Sequence, residues 1–235
     1  METCPWSGWA PATIQFCEKP ICAWITQPAN TWSNLFFIIA GWFIWQAARK
    51  NQRSDLLIVG GSAVFLGFAS GLFHASGTFF FEFFDLAGMF LISSMMVTLN
   101  ARRWLRLSNS AVIAMFLALT LSGMGIMLIE RWAGIPIFGT HIAMALTIEL
   151  IVHLRGDRVL YKDMFYMVGS FAAAFSFWIG DITGRLCDPG NHFISGHGVW
   201  HTLNALAILF LYRFYRQFEL FSKSDATQSK IETGG

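Results

Sequence analysis

The chain has 235 residues, of which 55% are hydrophobic and only 13% are charged. Soluble domains carry charge on about a quarter of their residues, so this composition excludes a soluble globule and predicts an integral membrane protein. The net charge of +2 is too small to indicate a nucleic-acid-binding surface.

The N-terminal stretch does not have the pattern of a secretory signal. It contains Glu2, Pro5, Pro11 and Glu18, and it lacks an apolar core preceded by basic residues. We therefore expect residues 1–31 to form an extramembrane segment, and the first apolar span to act as its own insertion signal.

Seven apolar segments follow, each close to the ~20 residues that an α-helix needs to cross a bilayer. Their predicted bounds are 32–48, 56–73, 79–99, 110–129, 135–153, 164–182 and 199–215. Because the connections are short, we expect one all-α, seven-helix membrane domain that comprises residues 1–235. The polar tail, residues 222–235, is predicted to be disordered.

The basic residues predict how the chain is oriented. If the helices alternate in direction, 13 of the 16 Lys and Arg residues lie on one side of the membrane, and only Lys19, Arg131 and Arg185 lie on the other. Lys and Arg favour the cytoplasmic side. The pattern therefore predicts seven crossings, with the N-terminus outside and the C-terminus in the cytoplasm.

All four cysteines then lie on the non-cytoplasmic side. Cys4, Cys17 and Cys22 precede the first helix, and Cys187 follows the sixth. That side of the membrane permits disulfides. Four cysteines allow three pairings, and free thiols are the alternative.

Ionisable residues at membrane depth are costly and indicate functional sites. His74 ends the second helix, Asp85 lies in the outer part of the third, and His197 and His201 open the seventh. The i,i+4 spacing of His197 and His201 places both rings on one helix face, as in many zinc sites. With His74 as a third ligand, the fourth position stays open for water, as in catalytic zinc. Interfacial polarity is the alternative explanation.

Two further residues suit a hydrolytic site. Ser70 lies one turn deeper than His74 on the same helix face, where its hydroxyl could donate to an oxyanion or bond its own helix. Asp85 could orient a zinc-bound water and accept its proton, or make a structural hydrogen bond to a Trp or His. Asp181 and Asn204 lie where each could support a metal-bound histidine.

Taken in order, these residues resemble the alkaline ceramidase family, which belongs to a superfamily of seven-helix membrane hydrolases that also includes the adiponectin and progestin receptors. The resemblance rests on Ser-x-x-x-His at 70–74, Asp85, Phe-Cys-Glu at 16–18, Asn-Thr-Trp-Ser-Asn-Leu at 30–35, Trp178-x-x-Asp181, Cys187 and His197-x-x-Trp200-His201. It spans nearly the whole chain.

The resemblance implies a site and a reaction. His74, His197 and His201 would bind Zn²⁺, Ser70 would donate to the oxyanion, and Asp85 would activate water. The implied reaction hydrolyses an N-acyl sphingoid base, a ceramide-like membrane lipid, to a fatty acid and a long-chain amine. The resemblance also implies a Cys17–Cys187 disulfide. With the predicted topology, the site would face the periplasm, lumen or exterior.

The chain departs from the family at its calcium site. Only Glu18 matches, whereas Gln15, Lys19, Pro20 and Gln27 stand where the family has an Asp, a Glu, an Asn and a Glu. Calcium prefers six to eight oxygen ligands with carboxylates among them. We therefore expect no calcium.

Two other functions stay open at this stage. One is a seven-helix receptor or sensor that retains zinc for structure, which the lack of a sizeable soluble region disfavours. The other is a membrane cytochrome with His74 and one seventh-helix histidine as haem ligands. Acyl length, headgroup and oligomeric state do not follow from these residues.

Overall fold

The computed structural model describes residues 3–156 and 159–218, and these residues form helices and loops without a named strand. A short helix, α1 (Pro28–Trp32), precedes seven long ones. The long helices are α2 (Leu35–Lys50), α3 (Leu57–Ser76), α4 (Phe79–Leu105), α5 (Asn109–Ile129), α6 (Gly134–Leu154), α7 (Lys162–Ile182) and α8 (Gly196–Tyr215). Each predicted segment overlaps one long helix, although α4 continues well past its predicted end at residue 99. The tail predicted to be disordered lies outside the described residues.

Within the described residues, five helices are long and apolar enough to span a membrane, namely α3 to α7. The helix α2 has only 16 residues. The helix α8 has 20 residues but opens with His197 and His201 and carries Arg213 in its last turn. The chain is therefore a helical membrane protein, and the seven crossings with an outer N-terminus stay predictions.

The packing places α2 and α8 inside the same bundle as the five apolar helices. The helix α2 packs against α3 and α8, α8 packs against α7, and α4 packs against α3, α5 and α6. Gly41 on α2 faces Gly60 on α3, and a Cβ on Gly41 would lie 2.7 Å from the Gly60 carbonyl oxygen. Only glycines allow the two backbones to approach this closely.

Residues 10–19, here called the strap, run across the outer helix ends. Ala12 N–H donates to the Gly77 carbonyl (3.0 Å), and Phe79 N–H donates to the Ala10 carbonyl (2.9 Å). Glu82 on α4 accepts hydrogen bonds from both the backbone N–H and the hydroxyl of Thr13. The strap thereby covers the end of the bundle where α4 begins.

Two disulfides fasten the N-terminal region, and no cysteine is free. Cys4 pairs with Cys22 inside the N-terminal segment. Cys17 pairs with Cys187, which joins the strap to the loop between α7 and α8. The second pairing is the one that the resemblance implies, and it ties the strap to the loop that precedes the two histidines of α8.

Candidate active site

Three buried histidines meet beneath the strap. His74 lies in the last turn of α3, and His197 and His201 lie in the first two turns of α8. One nitrogen from each ring lies within 4.8 Å of the other two. The Nε2 atoms of His74 and His197 are 3.1 Å apart. The structure thus brings together the three residues that the sequence analysis selected.

Hydrogen bonds at the far ring nitrogens orient two of the histidines. His74 Nδ1 lies 3.0 Å from Gln27 Oε1, and Gln27 Nε2 donates to the Glu18 carbonyl at 2.8 Å, which fixes the orientation of this amide. His201 Nδ1 lies 2.8 Å from Ser33 Oγ. The Ser33 hydroxyl donates to the Asn30 carbonyl (2.9 Å), so it accepts from His201. Both rings therefore carry their proton on Nδ1.

These tautomers decide what the cluster can bind. With Nδ1 protonated, Nε2 of His74 and of His201 carries a lone pair. The lone pairs face one buried space, where a metal ion could accept both of them. The chemistry of the donor set thus fits a metal ion, and His74, His197 and His201 can hold one. His197 Nδ1 has no hydrogen-bond partner among the described residues, and its ring stacks on Phe16 with centroids 3.7 Å apart.

Ser70 connects the histidine cluster to an acidic group. It lies one turn before His74 on α3, is buried, and has its hydroxyl close to the carboxylate of Asp85 on α4. Both Ser70 and Asp85 line the same cavity as His197 and His201. A hydroxyl, a carboxylate and the histidine cluster therefore share one cavity.

The two residues considered as supports for a metal-bound histidine make other contacts. Asp181 is buried, and its carboxylate accepts from the backbone N–H of His197 (3.0 Å) and of Cys17 (2.8 Å) rather than from a histidine ring. Asp181 thus holds the start of α8 and the strap together. Asn204 lines the cavity and donates to the carbonyl of Trp200 in its own helix (2.8 Å).

The sequence analysis assigned no histidine contact to Ser33 or Gln27, yet these residues orient two of the rings. Ser33 belongs to the motif at 30–35 that carried the family resemblance, and this was its only signal. Glu18 stabilises the start of α1. Its carboxylate accepts from the backbone N–H groups of Ala29 and Asn30 (both 2.9 Å) and lies 3.0 Å from His192 Nδ1.

The cavity below the site is long and mostly apolar. Side chains from α3, α4, α6, α7 and α8 line it, and its α4 wall begins at Glu82 and runs past Asp85 to Met96. The distance from Asp85 to Met96 sets the depth of the apolar part. Eleven residues of α-helix correspond to about 16 Å. The helices α6 and α7 contribute Phe138 and Phe171 to the lining, and these two rings are in edge-to-face contact with centroids 6.3 Å apart. The space suits an extended hydrocarbon chain with one end at Asp85.

The sequence model of the ceramidase family matches residues 8–233. The chain belongs to the ceramidase family. No curated protein matches it. Membership in the ceramidase family supports a membrane enzyme that hydrolyses ceramide, an amide, and it lends no support to the receptor alternative.

Proposed function

We propose that the chain is a zinc-dependent amidase that hydrolyses N-acyl sphingoid bases to a fatty acid and a long-chain amine. The observation that carries the proposal is a single cavity whose polar end is lined by Ser70, Asp85, His197 and His201, with apolar walls below them. A lipid amide is the substrate class that matches a polar reaction centre at the end of a hydrocarbon-sized space.

The cavity suggests how the lipid lies. Its apolar depth of about 16 Å along α4 accommodates the acyl chain, with the amide carbonyl beside Asp85. The strap covers the outer end, and Phe16 packs on His197. The covering limits the access of bulk water and makes each electrostatic interaction at the amide stronger than it would be in solvent.

A zinc ion bound by the three histidines would polarise the amide carbonyl and lower the pKa of a coordinated water to about 7. The remaining chemistry belongs to Asp85 and Ser70. The Asp85 carboxylate accepts the proton of the attacking water and later donates it to the amine nitrogen as the C–N bond breaks. General base catalysis of this kind contributes ~10²–10⁴ in rate.

The closeness of Ser70 to Asp85 suggests an order of events. Before reaction, the Ser70 hydroxyl would donate to the Asp85 carboxylate and hold it in place. When Asp85 takes up a proton, that carboxylate becomes a weaker acceptor, and Ser70 is released to donate to the developing oxyanion. One hydroxyl would thus support the base first and the transition state second.

The proposal includes the side of the membrane on which the site acts. Helix ends that carry the histidines lie with the two disulfides, and disulfides persist in oxidising compartments. Lys and Arg concentrate at the opposite helix ends. We therefore expect an impermeant lysine reagent applied to intact cells to label Lys19 but not Lys50. The reverse labelling would contradict this orientation.

The amidase is tested by measuring fatty acid release from an N-acyl sphingoid lipid by the purified protein in detergent. We expect turnover that a metal chelator abolishes and that added zinc restores. Turnover that survives both chelation and the substitution Asp85→Asn would assign the activity to another site. A broad panel of N-acyl lipids without any hydrolysis would reject the amidase.

A further inference from the structure

A second cavity opens at the outer end of the bundle, beside the first. We call it the vestibule. The strap contributes Thr13 and Gln15 to its lining, the loop between α5 and α6 contributes Arg131 and Trp132, and the end of α7 contributes Ile182. Its position, above the start of α6 and beneath the strap, corresponds to the level of lipid headgroups if α6 spans the membrane.

The vestibule adjoins the reaction cavity. Ile14, Leu86, Ile135 and Trp178 line both spaces. Leu86 directly follows Asp85 on α4, so the vestibule begins beside the residue that we propose as the base. A lipid that occupied both spaces would place its chain in the cavity, its amide at Asp85 and its headgroup in the vestibule.

The charge that lines the vestibule is positive only. Arg131 is the charged residue among its lining side chains, and no Asp or Glu of the described chain lines it. Arg131 makes no ion pair with a described carboxylate, and its guanidinium lies 4.5 Å from the centre of the Phe79 ring. Stacking on an aromatic face holds a guanidinium in place and leaves its N–H groups free at the edge for an acceptor.

The other polar groups of the lining differ in availability. Thr13 uses both its backbone N–H and its hydroxyl on Glu82. The side chain of Gln15 is exposed and hydrogen-bonds no other described residue. A ligand in the vestibule would thus find a guanidinium and one amide, the groups that bind a carboxylate, sulfonate or phosphate.

We infer that the vestibule binds the headgroup of the lipid substrate, that this headgroup carries an oxyanion, and that Arg131 is its ligand. That the bound lipid is a substrate rests on the proposed function. That the vestibule is the binding site rests on the shape and charge of the vestibule itself. Phe79 precedes Asp85 by six residues, or about 9 Å of helix. Arg131, stacked on Phe79, therefore marks a level about 9 Å along the α4 axis from the residue that we propose as the base.

The test uses two synthetic N-acyl sphingoid lipids with identical chains, one with a free primary hydroxyl and one with a phosphate monoester at that position. Binding and hydrolysis of both are measured in uncharged detergent. We expect the purified protein to bind the phosphate lipid about tenfold more tightly, as a charge-assisted hydrogen bond allows. Binding is measured with Asp85→Asn as background, so that turnover does not deplete the lipid.

Three substitutions sharpen the test. Arg131→Gln should remove the preference for phosphate and leave the affinity for the neutral lipid unchanged. Arg131→Lys should retain part of the preference, because lysine keeps the charge but not the planar fork. Arg185→Gln is the matched control, because Arg185 is also exposed in a loop near the vestibule end of α7 but does not line the vestibule. It should change neither affinity.

Several outcomes would overturn the inference. One is equal affinity of the parent protein for the two lipids, and another is an unchanged preference in Arg131→Gln. Equal weakening of both lipids by Arg131→Gln would assign Arg131 to packing or to bulk lipid and would also overturn it. A preference for phosphate that Arg131→Gln removes, without hydrolysis of either lipid, would support the headgroup site while rejecting the amidase.

Discussion

Buried polar groups lie at both ends of the helix bundle, and the two sets differ in what their atoms face. At the end where α4, α6 and α8 finish, the carboxylate of Glu149 forms an ion pair with Arg103 and accepts from the Tyr161 hydroxyl at 3.0 Å. Nearby, the Tyr215 hydroxyl donates to the Asn100 side chain at 2.8 Å. These side chains provide partners for one another, and the Arg103 guanidinium, whose Nη2 makes no hydrogen bond to a described residue, stacks on the Phe218 ring at 3.9 Å.

At the opposite end, the histidine cluster uses its protein partners in another way. Gln27 and Ser33 bind Nδ1 of His74 and His201, and this contact turns both Nε2 atoms toward a shared space. Buried polar groups are normally satisfied by the protein, and those that are not need an explanation. The comparison indicates that Glu149 and its partners stabilise the fold, whereas the histidine cluster is arranged so that it can bind a metal ion.

The largest effect should follow removal of the α8 ligands. The double substitution His197→Ala, His201→Ala takes away two of three nitrogen donors, so zinc and activity should both fall to background. Elemental analysis of the purified protein measures the zinc. His141→Ala is the matched control, because His141 is also buried but lies 3.2 Å from Ser93 Oγ, away from the cluster. Full zinc occupancy in the double variant would contradict the assignment.

Asp85→Asn should keep the zinc but lose ~10²–10⁴ in kcat/KM, because it removes the proton acceptor and leaves the ligands intact. The side chain stays similar in volume, so the fold should not change. Zinc content and activity are measured on the same preparation. A loss smaller than tenfold would remove Asp85 from the proposed role of base.

Ser70→Ala should also keep the zinc and should lose ~10²–10³ in rate, the usual effect of removing one oxyanion donor. If Ser70 only orients Asp85, Ser70→Ala in an Asp85→Asn background should cost nothing further. A double-mutant cycle on kcat therefore separates the two roles. An additional loss in that background supports direct contact with the oxyanion.

A smaller effect is expected at Ser33, which contacts the metal site only through His201. Ser33→Ala removes the acceptor of His201 Nδ1–H and should weaken zinc affinity about 10–100-fold. Competition with a chelator of known affinity measures this change. Ser62→Ala is the matched control, because Ser62 is a buried serine on α3 that lies several turns away from His74. Equal zinc affinity in both variants would contradict the orienting role.

The smallest effect on function should come from the other end of the bundle. Glu149→Gln leaves the buried Arg103 without its charged partner, which typically costs about 3–5 kcal/mol of stability. Zinc content and specific activity of the folded fraction should not change. Thermal denaturation in detergent measures the loss of stability. A loss of zinc in Glu149→Gln would show that the two ends of the helix bundle are not independent.

The long helices could be predicted because each is encoded locally. A run of about 20 apolar residues is helical in a bilayer whatever its neighbours are, since its backbone must satisfy its own hydrogen bonds. The exceptions follow the same logic. The sequence predicted α2 and α8 as spans too, but α2 has only 16 residues and α8 begins with polar site residues, so neither has the length and composition of the other five.

For the site too, spacings within one helix could be predicted from the sequence, whereas contacts between distant residues could not. The spacing of His197 and His201 and of Ser70 and His74 follows from helix periodicity. By contrast, the contacts of Ser33 with His201 and of Gln27 with His74 join residues 168 and 47 positions apart. No periodic pattern encodes such pairs, because they depend on how α1 lies against α3 and α8.

Local chemistry along the chain therefore accounts for the membrane class, the helices and the residue types at the site. Packing decided the rest. It formed the hydrogen bonds that turn the Nε2 atoms of His74 and His201 inward, the contact of Asp181 with the backbone of His197, and the vestibule around Arg131. Each of these depends on side chains from different helices or loops meeting within hydrogen-bond or van der Waals distance. Such meetings exist only once the bundle has closed.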